Sequence, residues 1–139
     1  MIFGQDRDEL RGMFSTAWRK YRDGEVLSPL ESQVAQVIAD HPEYQDDVTG
    51  NLGRDFPVEG GRSNPFLHMA LHLGIREQIS TDRPAGIREI FGRVTAALGG
   101  AHDAEHRLID CLAETLWEAQ NQGVAPDEAG YLERLRKLM

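Results

Sequence analysis

One stretch, NPFLHMALHLGIREQ from Asn64 to Gln78, restricts the fold more than any other in the chain. Asn64 is a good N-cap and Pro65 suits the first helical position, so the spacing predicts a helix running to about Ile79. The helix is apolar on nearly every side, and a helix of that kind has to be enclosed by other elements. Inside it stand His68 and His72, one turn apart. On a wheel of about 100° per residue the two fall within ~40° of each other, on the arc of Leu71, Ile75 and Ile79. They are expected to face the core.

What encloses that helix is also helical. From Asp6 to about Tyr21, Leu10, Met13, Phe14, Ala17, Trp18 and Tyr21 recur at intervals of three and four, one stripe of an amphipathic helix. SPLESQVAQVIADHPEY then offers Ser28 as N-cap, Pro29 at the first position and Glu31 at the third, a capping box. This helix should stop before Pro42, leaving His41 at its C-terminal end as a cap for free carbonyls. A short turn of helix at Glu43 to Val48 precedes a Gly-, Asn- and Asp-rich connection over about 49–63, long enough to be mobile or to cover something as a lid. Beyond Gln78, Asp82 is the expected N-cap of a helix through Leu98, AHDAEHRLIDCLAETLWEAQNQ forms a long helix ending at Gly123, and a last helix starts near Pro126 and Asp127. No segment alternates with period two. The expected fold is all-α: one domain over 1–139, a bundle of five to six helices with one long loop.

Composition narrows the function classes. Fifteen Lys and Arg stand against 23 Asp and Glu, a net charge of −8, which opposes nucleic acid as a partner. No apolar run reaches the ~18 residues a membrane helix needs, and the start MIFGQDRDEL has neither signal nor transit character, so a cytoplasmic protein is expected. A single cysteine, Cys111, excludes an internal disulfide and a multi-cysteine zinc motif, and is read as a buried, inert thiol. GxSxG, P-loop and GxGxxG patterns do not occur. The pattern specifies no reaction.

The histidines do carry chemistry. A second pair, His102 and His106, opens the long later helix on an arc shared with Ile109, Ala113, Leu116 and Trp117. If the two histidine-bearing helices run parallel, separated by one helix of similar length, both pairs lie at matching depth. Imidazoles at i and i+4 have Cβ atoms about 6 Å apart and can converge on one ion. Four neutral imidazoles leave the charge of that ion uncompensated, so a carboxylate is expected beside them, Glu105 first and Asp110 second. The expected ligands are therefore His68, His72, His102 and His106 with Glu105 assisting, and a nitrogen or nitrogen-oxygen set suits zinc or iron, with nickel and copper as further fits. The competing reading is a non-catalytic helical interaction module, with a protein partner or a second copy, in which the histidines only complete a core. A third makes the cluster a pH switch.

The segments NPFLHMALHLGIREQISTDRPAGIR, HDAEH and LAETLWEAQ resemble a family of short bacterial proteins known as domain of unknown function 1841. The family's central motif includes the NPFLHM run and a downstream HxxxH, here Asn64 to Met69 and His102 to His106, and the likeness extends from the first helix to the last. The resemblance implies a small cytoplasmic bacterial protein. It supplies no activity, cofactor or partner.

Overall fold

The computed structural model describes residues 7–50 and 64–139. The described residues are all-α, with seven α-helices and no strand: α1 (Arg7–Asp23), α2 (Pro29–Ala39), α3 (Gln45–Gly50), α4 (Pro65–Thr81), α5 (Ile87–Leu98), α6 (Ala101–Gln122) and α7 (Glu128–Arg136). A 3-10 turn, Pro42–Tyr44, joins α2 to α3. The count exceeds the expected five to six because Gln45–Gly50, too short to show a periodic stripe, is a helix of its own. Most of the expected 49–63 connection, and with it the lid, lies outside the described residues.

The chain forms two compact units, Met1–Leu73 and Gly74–Met139, and the sequence of α4 contributes to both. In the first unit α1 packs on α2 and α3. Its core is Phe14, Ala17, Trp18, Val34, Val37, Ile38, Val48, Phe66, Met69, Ala70 and Leu73, with Leu10, Met13, Ala39 and Tyr44 against it. The α1 residues in that set are those of the stripe expected from the sequence except Tyr21, which is 51 % exposed. Phe14 and Phe66 stack at 6.0 Å between ring centroids, and the Arg11 guanidinium lies 4.6 Å from the centre of the Phe66 ring. These contacts hold the start of α4 by its aromatic residue.

The start of α2 is the capping box that the sequence predicts. The Glu31 backbone N–H donates to Ser28 Oγ at 3.1 Å, and the Ser28 N–H donates to Glu31 Oε1 at 2.9 Å. Ser28→Ala removes one of the two reciprocal bonds and is expected to lower stability by about 1 kcal/mol, with an unchanged denaturant slope in a urea titration. At α4, Asn64 Oδ1 accepts from the backbone N–H groups of Phe66 and Leu67, as its N-cap position requires.

In the second unit α6 packs on α5 and α7, and α5 on α7. Tyr131 donates from its hydroxyl to Gln78 Oε1 at 2.6 Å, and Arg134 donates to Thr115 Oγ1 at 2.8 Å. The start of α5 differs from expectation. Asp82 does not sit at the N-cap, which is Gly86, because Pro84 intervenes and a residue before proline is displaced from helical geometry. Asp82 instead takes a left-handed φ of 53° and accepts the N–H groups of Gly86 and Arg88 across the turn. Arg88 returns to the end of α4, donating to the carbonyls of Ile79 and Ser80.

The inward face of α6 is also turned from the expected arc. Ala104, Glu105, Leu108, Ile109, Cys111, Leu112, Thr115 and Ala119 are buried, whereas His102 is exposed and Trp117 is 63 % exposed. Leu108, Leu112 and Ala119 follow one stripe, roughly 100° from the one drawn through Ala113 and Leu116, and the packing of α6 on α5 and α7 selects it.

Candidate metal centre

Three histidines of the first unit meet at their Nε2 atoms. His68 and His72 are one turn apart on α4, and the third is His41, at the junction of α2 and the 3-10 turn. His72 is fully buried, His41 is 2 % exposed and His68 is half-buried. The Nε2 atom of His72 lies 3.1 Å from Nε2 of His41 and 3.1 Å from Nε2 of His68. The rings are edge-on or tilted to one another, with centroids 4.5 Å apart for His41 and His72, 4.8 Å for His68 and His72, and 5.3 Å for His41 and His68. Tyr44 borders the cluster, nearly parallel to His41 at 5.6 Å and edge-on to His68 at 5.7 Å.

Proton counting at this cluster is informative. His41 Nδ1 is 2.8 Å from the Val37 carbonyl, which can only accept, so Nδ1 carries the proton and Nε2 of a neutral His41 is an acceptor. His72 Nε2 must then donate to His41 to make a hydrogen bond. A nitrogen that has donated its single proton has no in-plane lone pair left for His68. If His72 Nε2 accepts from His68 instead, two lone pairs face each other across the 3.1 Å contact with His41. Neutral imidazoles thus give His72 Nε2 one undivided hydrogen bond, or one N–H shared between both neighbours. A cation among the three nitrogens answers every lone pair at once.

The distances suit such an ion. Nitrogens about 2.0–2.1 Å from a metal are about 3.3–3.4 Å apart in a tetrahedron and about 2.8–3.0 Å apart along an octahedral edge. The observed 3.1 Å falls between the two. The Val37 carbonyl supplies the outer support that fixes the ring orientation and tautomer of a ligating histidine, leaving Nε2 as the donor atom. The candidate donor atoms of His41, His68 and His72 all lie within 4.8 Å of one another.

Other residues expected at the site belong to the second unit. His102 and His106 are paired on α6, with ring centroids 4.4 Å apart, His102 exposed and His106 half-buried. Glu105 is 7 % exposed and holds Arg76, whose Nε lies 3.0 Å from Oε1 and 3.3 Å from Oε2. That ion pair gives the carboxylate a structural role which the helical wheel does not reveal. Asp110 points to solvent. Cys111 is buried, and burial, followed by the nearby Asp110 and Glu114 carboxylates, pushes its thiol up, away from the nucleophilic thiolate.

A family model described as a domain of unknown function, DUF1841, matches residues 6–137. The chain belongs to this family. The match takes in all three histidines of the cluster and both HxxxH pairs, so the centre lies within the family's own domain. No curated protein and no solved structure matches the chain.

His41 is the member of the cluster that the sequence pattern misses. A histidine ahead of a proline at a helix end reads as a carbonyl cap, and His41 is one through Nδ1, which reaches Val37. Its other nitrogen meets His72, 31 residues further along, and a contact at that separation leaves no periodic trace. Tyr44 is missed for the same reason.

Proposed function

We propose that this protein binds one transition-metal ion through His41, His68 and His72. The observation that carries the proposal is the His72 Nε2 atom, 3.1 Å from the Nε2 atoms of both His41 and His68, a spacing that one ion bound by all three would produce. An all-nitrogen set favours zinc or iron(II), with nickel and copper as competitors distinguished by geometry. The ion would tie the end of α2 to α4 within the first unit, so it would stabilise the fold whatever further chemistry it supports.

Two measurements test this. Metal in 100-fold excess over its dissociation constant should stabilise the protein by about 2.7 kcal/mol, and a chelator should reverse the gain in a thermal melt. His41→Ala should weaken zinc uptake, whereas His102→Ala should leave it as in the parent. Equal effects of the two substitutions would remove His41 from the ligand set. A melting temperature indifferent to both metal and chelator would remove the metal.

A further inference from the structure

The Tyr44 ring touches two of the three proposed ligands, and these come from different elements. It lies nearly parallel to His41, at 5.6 Å and 10°, and meets His68 edge-on, at 5.7 Å and 70°. Its place is set locally: Pro42 opens the 3-10 turn, and the Tyr44 N–H donates to the His41 carbonyl at 3.0 Å, which returns the ring to the histidine three residues before it. It is also packed against the apolar core, through which α1, α2 and the start of α4 are held.

Each imidazole has a different degree of restraint. His41 is fixed at Nδ1 by the Val37 carbonyl, but that bond leaves rotation about the N–H···O axis. His68, on the helix turn before His72, is half-buried and is the ligand nearest to solvent. A flat aromatic face along His41 opposes that rotation, and the same ring, presented to the edge of His68, limits its swing from the shared point. Groups just outside a metal's ligands act in this way, by holding donor atoms where the ion needs them.

We infer that Tyr44 is a positioning residue for the metal centre, acting through its ring and not its hydroxyl. The inference rests on the metal reading above, and cobalt(II) separates the two, because its visible spectrum reports ligand geometry as well as occupancy. The parent protein, Tyr44→Phe, Tyr44→Leu and Tyr44→Ala are each titrated with cobalt(II). Tyr44→Phe should keep the affinity and spectrum of the parent. Tyr44→Ala should bind about 10- to 100-fold more weakly, with altered ligand-field bands.

Tyr44→Leu keeps most of the buried volume and guards against simple unfolding. It should retain the parent's helical circular dichroism and metal-free melting temperature while losing affinity as the alanine variant does. Tyr44→Ala or Tyr44→Leu binding cobalt with the affinity and bands of the parent would overturn the inference, and so would a Tyr44→Phe variant as weak as Tyr44→Ala. A parent protein that takes up no cobalt overturns the metal reading itself, and the role of Tyr44 with it.

Discussion

Replacing His72 by alanine is expected to abolish metal uptake, a loss beyond the ~100-fold typical of removing an outer support, because His72 is the nitrogen shared by both short contacts. Isothermal titration with zinc measures it directly. The same position separates the metal reading from that of core-filling histidines. His72 is fully buried, so alanine also leaves a cavity, but leucine fills much of the space without a polar edge to bury. In metal-free protein His72→Leu should be as stable as the parent or more so, and should no longer gain stability from zinc. Were the histidines a hydrogen-bonded core, removing the central one would strand buried nitrogens on His41 and cost about 1–3 kcal/mol with or without metal.

Phe66→Ala is expected to have the largest effect on stability. The side chain is 1 % exposed, stacked on Phe14 and covered by the Arg11 guanidinium, so truncation opens a cavity at the start of α4 and removes both contacts. The cost should be about 3–5 kcal/mol in a denaturant titration. Leu67 is the natural control, adjacent on the same helix but 51 % exposed, and Leu67→Ala should change stability by less than about 0.5 kcal/mol. Comparable costs at the two positions would mean that α4 does not turn this face to the first unit's core. Because Phe66 lies two residues before His68, Phe66→Ala should also weaken metal binding, through the register of α4 and not through the ligands.

The particular residues show where sequence reading succeeds and where it stops. Ser28, Pro29 and Glu31 announce the start of α2 because capping is a local matter of four residues, and Asn64 with Pro65 announces α4 in the same way. The stripe of α1 is legible because its neighbours bury one side only. On α6 the same reasoning picks a stripe about 100° from the buried one, since polar residues such as Thr115 and Glu105 are inside by virtue of Arg134 and Arg76, partners that lie 19 and 29 residues away. The start of α5 is displaced by Pro84, whose effect on Arg83 outweighs the capping preference of Asp82. At the site, the spacing of His68 and His72 is visible in the helical period. His41 is hidden because one of its nitrogens already has an adequate local explanation at Val37.

Family membership constrains the domain and leaves the chemistry to the site. A long helix apolar on most sides is a poor place for two imidazoles unless something offsets the cost of burying their polar edges. On the proposed reading a cation held by the converging Nε2 atoms near His72 is that compensation.

The most direct measurement is the metal content of protein expressed without a histidine tag, by elemental analysis followed by titration of the chelated protein with zinc and with iron(II). The account predicts close to one equivalent of a single transition metal per chain, removed by chelator, restored on titration and absent from His72→Ala. Metal far below one equivalent, with no uptake of either ion by the parent protein, would contradict it.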